Sequence, residues 1–350
     1  MCALLALFRQ SNKHIIIRKD SVFFLQKTLF LTQISRKMLD LERIKQLSHE
    51  VGFDLCGVAR PRTMEQDGEF LCCWLDEGNG STLEYMKRNI DKRTDATLLV
   101  EGAKTVIVCA LAYKNEISEG YPADHPAKVA SYACMTDYHT TIREMLHRLC
   151  KRLREESPTL RGRVFVDSAP LFEKRYAVEA GLGWIGRQSL LVTPQFGTFV
   201  LLGEAVLCEE CNAYDEPLQG AGCGECRRCV EACPNGAIRD QHIDTRRCIS
   251  RMTIEREENP HKEGGSECNP DSYGLHGWVF GCDECQSCCP YNRRAPHATH
   301  PAVAPLFDPR LMNATDWQKT SEAEFSSRFA STPLSRSSLE RIQRNIKKSR

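Results

Sequence analysis

Apolar residues recur with helical spacing just after Met38: Leu41, Ile44, Leu47 and Val51 share one face, Asp40 stands where a cap belongs, and Gly52 ends the run. The spacing predicts a helix there and a strand over Phe53 to Ala59. Leu71 to Trp74 and Leu83 to Met86 read as pieces of helix separated by Gly78-Asn79-Gly80. Thr105 to Ala112 is apolar almost throughout, the pattern of a strand covered on both faces. Ile142 to Leu153 is amphipathic helix, ending before Pro158. Val164-Phe165-Val166 then leads into Asp167-Ser168-Ala169-Pro170, with helix expected over Leu171 to Ala180 and a β-rich run over Ser189 to Leu207. This pattern predicts an α/β domain. Asp167 falls between a strand's carboxyl end and a helix's amino end, where open α/β sheets place their ligand crevice. Asp167 or Ser168 could simply cap that helix. Ser168 can do so alone, which leaves Asp167 for chemistry.

Gly181-Leu182-Gly183-Trp184-Ile185-Gly186 is a literal G-x-G-x-x-G. The dinucleotide fingerprint needs a strand before it and a helix after it, and here the order is reversed. The glycines still permit close backbone approach to a large ligand. Further on, His297 to Asp308 reads as a connector. The tail from Arg328 to Arg350 carries seven Lys or Arg against Glu340, with an apolar stripe at Leu339, Ile342 and Ile346. That stripe can pack while the basic face meets solvent or phosphates.

The 350 residues suffice for two packed domains, and 47 basic against 46 acidic residues give no overall polyanion-binding signature. Residues 1 to 37 differ, with seven basic residues against one acidic. No apolar run there approaches the roughly eighteen residues that span a bilayer. An acid-poor basic leader fits a targeting segment or a membrane-surface helix. The reading preferred is an initiator at Met38, where the well-patterned helix begins. Nineteen cysteines in a chain this long, eight of them at cluster spacing, imply a reducing compartment. Cys208 and Cys211 form an extra x2 pair without a partner pair and are taken as incidental.

Cys223-x2-Cys226-x2-Cys229-x3-Cys233-Pro234 is the run by which bacterial-type ferredoxins bind iron–sulfur clusters, and Cys282-x2-Cys285-x3-Cys289-Pro290 answers it. Two such runs imply two 4Fe–4S clusters, the cysteine before each proline ligating the other run's cluster. Structural zinc also uses Cys-x2-Cys, but does not ask for three x2-spaced cysteines followed by Cys-Pro. The adjacent Cys288 and Cys289 allow two registers. A regular run ending at Cys288 would need its crossing cysteine at position 292, which is Asn292. Cys289 is therefore the crossing ligand, and Cys248, between the runs, is the best placed thiol to complete the second cluster.

These runs, together with Val166-Asp167-Ser168-Ala169-Pro170, Ala180-Gly181-Leu182-Gly183-Trp184, Leu202-Gly203-Glu204 and Arg246-Arg247-Cys248-Ile249-Ser250, resemble the epoxyqueuosine reductase family. The resemblance covers essentially Met38 to the C-terminus and corresponds to the short form, without the C-terminal helical-repeat domain of some members. It implies an α/β cobalamin-binding domain over 38–207, a bacterial-ferredoxin-like domain with two 4Fe–4S clusters over 208–300, and a short helical, basic C-terminal segment over 301–350, after a leader at 1–37. The implied reaction reduces epoxyqueuosine to queuosine at the wobble position of tRNA. By analogy Cys223, Cys226, Cys229 and Cys289 hold the first cluster, and Cys233, Cys248, Cys282 and Cys285 the second. Asp167 matches the family's proton donor and lies at the cobalamin. Arg88 matches a cobalamin contact, as do positions near Leu191, Leu202, Ser250 and Asp283. The chain departs from the family at Ala130-Ser131-Tyr132, where Ser-Arg-Tyr is usual, while Asp137-Tyr138-His139 fits.

The implied chemistry takes two electrons and releases the oxygen as water, so the site must also supply protons. A helix N-terminus would favour the Asp167 carboxylate, so desolvation must dominate if Asp167 is to donate a proton near neutrality. The implied partners are tRNA and a low-potential electron donor; the expected protein is a cytoplasmic monomer with no membrane association. Two rival readings use the same residues. One is a cobalamin-dependent reductive dehalogenase, whose usual twin-arginine signal is missing from residues 1 to 37. The other is a ferredoxin-type electron carrier.

Overall fold

The computed structural model describes residues 38–80, 83–122, 124–255 and 273–349. The leader expected at 1–37 lies outside them. Helix α1 (Leu41–Val51) starts as its pattern predicts, with the Asp40 carboxylate accepting from the Arg43 amide at 2.8 Å. Gly52 ends it at φ 111°, a conformation that costs glycine little. Strand β1 (Leu55–Ala59) follows, then helix α2 (Glu65–Asp76) and the wholly buried strand β2 (Thr105–Ala112). After the short β3 (Lys128–Val129) come helix α3 (Tyr138–Glu156), β4 (Gly162–Phe165) and helix α4 (Glu173–Glu179). A small hairpin, β5 (Trp184–Ile185) and β6 (Leu191–Val192), precedes the long β7 (Val200–Leu207).

These strands form a four-stranded sheet in the order β1-β2-β7-β4. Each of its three pairings is antiparallel. The crevice rule for open α/β sheets, which placed Asp167 in a ligand site, assumes parallel strands and does not apply. Burial of β2 on both faces has another cause, since helices cover each side of the sheet. On one side α1 and α3 pack Ile44, Leu47, Ile142 and Leu146 against Ile107 and Ala205. On the other, Tyr176 and Ala177 of α4 pack against Val106, Val108 and Val206.

The cysteine-rich part adds helix α5 (Arg228–Ala232), the hairpin β8 (Ile238–Arg239) and β9 (His242–Ile243), and helix α6 (Ile249–Ile254). Strand β10 (Trp278–Phe280) and helices α7 (Glu284–Ser287) and α8 (Pro290–Arg294) complete it. It is tied to the first part by the parallel pairing of β10 with β3. Three further helices, α9 (Ala314–Lys319), α10 (Glu322–Phe329) and α11 (Leu339–Lys348), pack Trp317 and Phe329 into a core shared with Val129 of β3 and Val279 and Phe280 of β10. The stripe Leu339, Ile342 and Ile346 is buried there against β10, as its spacing predicts. Residues 38–350 form one compact unit.

Candidate functional site

The cluster-spaced cysteines lie in two neighbourhoods, within each of which thiols raise one another. Burial raises the Cys229 thiol, and Cys223 and Cys289 raise it further. Cys289 is raised by burial and again by Cys223 and Cys226. In the second group burial lifts Cys285 well up, followed by Cys282 and Cys248, while Cys248 feels Cys233 after its own burial. Clustered thiols of this kind bind metal as thiolates, and the metal supplies the compensating charge. No three His, Cys, Asp or Glu side chains among the described residues gather tightly enough to hold a single metal ion. Cys288 lies with the first group: burial, then Cys229 and Cys289, push it up to about 12. Its thiol donates to the Cys285 carbonyl at 3.5 Å. Cys208 donates to the distant Glu101 carbonyl and Cys211 to the side chain of its neighbour Asn212.

All four thiols of the second group, Cys233, Cys248, Cys282 and Cys285, line one open cavity of about 450 Å³. Its other walls come from the sheet domain, including Tyr113, Tyr132, Tyr138, Lys174, Leu190 and Leu201, and from Ser250 and Asp283. Mostly apolar walls with a few placed polar groups suit a large organic cofactor. Ser250 and Asp283, two of the positions named from the resemblance, are among the cavity's lining residues. Asp283 is buried, which raises its pKa, and its carboxylate accepts from the Ser131 amide at 2.7 Å. Leu191 and Leu202 turn their side chains into the sheet core, and their neighbours Leu190 and Leu201 face the cavity. Arg88 is exposed at the end of a short turn, outside the lining residues. Tyr85 of that turn approaches Asp167, and burial followed by the charges of Glu255 and Asp167 raises it to about 12.

Asp167 does not cap a helix. Five residues separate it from α4, whose N-terminal neighbour is Phe172, and no side chain caps that end. Asp167 instead adopts φ 57°, which few non-glycine residues tolerate. The expected conflict with a helix N-terminus disappears. Tyr138 Oη donates to Asp167 Oδ2 at 2.6 Å, and His139 Nε2 lies 3.2 Å from the same oxygen. His139 Nδ1 is 2.8 Å from Asp137 Oδ1, and Arg336 in turn holds Asp137. The expectation that desolvation dominates at Asp167 is not met. The His139 hydrogen bond outweighs it and, with Tyr138, holds the carboxyl below its usual range. Burial opposes a charged His139, yet its bonds to Asp137 and Asp167 raise its pKa. Both shifts favour a charged His139 beside an ionised Asp167.

Two carboxyls missed by sequence reasoning adjoin this network. Glu173 Oε1 accepts from the Asp167 amide at 2.6 Å, and burial raises Glu173 to about 7. Glu204, on β7, is fully buried. Its signal was a lone acid in the apolar run Val200 to Leu207. The G-x-G-x-x-G glycines serve the protein's own packing, because a Cβ on Gly183 would lie 2.1 Å from the Val192 carbonyl oxygen and one on Gly181 would lie 2.8 Å from that of Glu216.

Residues 93–168 match the family model described as epoxyqueuosine reductase QueG, DUF1730, and residues 222–292 match a 4Fe–4S double cluster binding domain. The chain is 38% identical over 308 residues to the epoxyqueuosine reductase of Cyclobacterium marinum, covering 87% of this chain and 94% of that one. The Pseudomonas aeruginosa epoxyqueuosine reductase is 34% identical, with 87% and 83% covered. Among solved structures, epoxyqueuosine reductase from Streptococcus thermophilus superposes with a TM-score of 0.73 at 26% identity, covering 88% of this chain and 80% of that one. Another, solved with an epoxyqueuosine-modified tRNA stem loop, gives 0.72 at 26% identity over the same shares. With the paired thiol groups and the Asp167 network already in place, these likenesses show that the chain belongs to the epoxyqueuosine reductase family.

Proposed function

We propose that this protein reduces epoxyqueuosine to queuosine at the tRNA wobble position, drawing electrons from a low-potential donor through two 4Fe–4S clusters. The observation that carries the reading is the cavity that joins four cluster-spaced thiols to the wall beside Asp167. Cys223, Cys226, Cys229 and Cys289 hold the first cluster, and Cys233, Cys248, Cys282 and Cys285 the second. Cobalamin bound in the cavity would supply a strongly reducing cobalt centre. Leu190, Leu201, Ser250 and Asp283 border that cavity, and Arg88, outside the lining residues, would have to turn toward it to make the contact the resemblance implies.

The chain's own task is to place the substrate and manage protons. His139 passes its proton to Asp167, and Asp167 delivers it to the epoxide oxygen as negative charge develops there. Tyr138 fixes the carboxylate, and Arg336 and Asp137 fix the imidazole. The basic residues of the C-terminal segment lie along α11 and the turn before it, where they can meet tRNA phosphates. The protein works as a cytoplasmic monomer on this reading. No helix among the described residues is long and apolar enough to cross a membrane.

Anaerobically purified protein should carry cobalt and two clusters' worth of iron, and a deletion strain should accumulate epoxyqueuosine in its tRNA. Unchanged epoxyqueuosine in that strain, with both cofactors present, would favour the dehalogenase reading. Lack of cobalt would favour the electron carrier. Asp167→Asn should keep every cofactor and lose turnover.

A further inference from the structure

Glu204 stands in the central part of the sheet, paired with Val108 on one side and Phe165 on the other. It is fully buried, and neither carboxyl oxygen meets a hydrogen-bond partner of ordinary geometry. An ionised carboxylate in that state would cost several kcal/mol, so the group is neutral and carries a proton. It faces the same side of the sheet as Leu202 and Val206, toward α4. There it meets Glu173, closely enough that each carboxyl perturbs the other. Glu173 in turn accepts the Asp167 amide. The titratable groups around the pair are Asp167 and Lys174, with His139 beyond Asp167.

Nothing structural explains an acid at this place in an apolar strand, and the reaction supplies a reason. Converting an epoxide to an alkene breaks both C–O bonds, forms one C=C bond and two O–H bonds, and consumes two electrons and two protons. The electrons come through the clusters. His139 accounts for one proton. Resting on the proposed function, we propose that Glu173 holds the second proton and returns it to Asp167 once the first has been delivered, while Glu204 keeps its own proton and turns it toward the Glu173 carboxylate that results. Asp167 thereby draws on two proton stores, His139 at its carboxylate and Glu173 at its amide. Burial holds Glu173 near the pKa that suits such a transfer, at about 7. Glu204 acts through Glu173 and does not touch the substrate.

Infrared titration of the wild-type protein tests the store without substrate or cofactor. A carboxylic acid carbonyl band should persist at about pH 9, where Glu173 has ionised and ordinary glutamates long since have, and disappear in Glu204→Gln. Folded wild-type protein with no such band would overturn the proposal. With loaded enzyme and epoxyqueuosine-bearing tRNA, Glu204→Gln should lower turnover by on the order of 10²-fold at about pH 8. The gap should narrow as the pH falls and solvent replaces the store, and Glu204→Asp should recover part of the rate. Wild-type turnover by Glu204→Gln across that range would overturn the proposal. Glu173→Gln, nearer the surface, gives the same turnover readings if Glu204→Gln does not fold. Wild-type enzyme that is fully loaded and inactive would sink the proposed function itself, an outcome separable from a missing band.

Discussion

Replacing Gly183 by alanine puts a methyl carbon 2.1 Å from the Val192 carbonyl oxygen and 2.9 Å from the carbonyl carbon. Restoring an ordinary contact of 3.4 Å requires the two backbone segments to part by about 1.3 Å. They cannot part freely, because Trp184 pairs with Val192 and Ile185 with Leu191 in the β5–β6 hairpin. Overpacking of this kind costs about 1–3 kcal/mol, and each ladder hydrogen bond lost adds about 1 kcal/mol. A total of roughly 3 kcal/mol lowers a melting midpoint by about 6 °C in a chain of this size. The hairpin carries Gln188, Ser189 and Leu190 into the cavity wall, so cobalamin retention should fall as well. Gly222→Ala is the control: nothing lies within 4 Å of its added Cβ, and its backbone is not left-handed. Thermal unfolding of both cofactor-free variants, followed by circular dichroism, decides the matter. Equal midpoints would refute the claim that the glycine-rich loop is built for self-packing.

Other substitutions probe the site from different directions. Cys248→Ser should leave one cluster's iron instead of two while Cys288→Ser keeps both, read by iron content and the optical spectrum; the reverse pattern would reassign the second cluster. His139→Asn removes the bond that holds Asp167 down, so the Asp167 pKa should rise, and carboxylate-resolved NMR titration should show it. Glu173 has a folded pKa raised from 4.5 to about 7, so its contribution to stability is complete below 4.5 and is lost as the pH rises through 7. Urea unfolding should therefore show wild-type stability declining across that window more steeply than Glu173→Gln does.

Local chemistry was legible in the sequence, and non-local pairing was not. The Asp40 cap, the Gly52 stop and the buried run Thr105 to Ala112 depend on neighbours in the chain, and each formed as its pattern predicts. The two cysteine runs could be recognised by spacing because cluster ligation constrains spacing, and residues 222–292 match a 4Fe–4S double cluster binding domain. Antiparallel order is different: β7 enters between β2 and β4, and β10 pairs with β3 across some 150 residues, which no periodicity records. Asp167 was found for a reason that failed, since neither a parallel sheet nor a helix N-terminus places it. Its partner His139 stood in the noted Asp137-Tyr138-His139 segment without a role, because an imidazole's partners come from tertiary contacts. Glu204 left one trace, an acid where a covered strand has no solvent to offer it.

The central claim is that electrons gathered by two thiol-held clusters are spent on an epoxide beside Asp167. Its most direct test is anaerobic turnover of tRNA bearing epoxyqueuosine by protein with measured iron and cobalt, followed by nucleoside analysis. The account predicts queuosine in proportion to reductant supplied, and none from Asp167→Asn with the same cofactor content. Fully loaded wild-type protein that leaves epoxyqueuosine unchanged, or Asp167→Asn that makes queuosine at the wild-type rate, would contradict it.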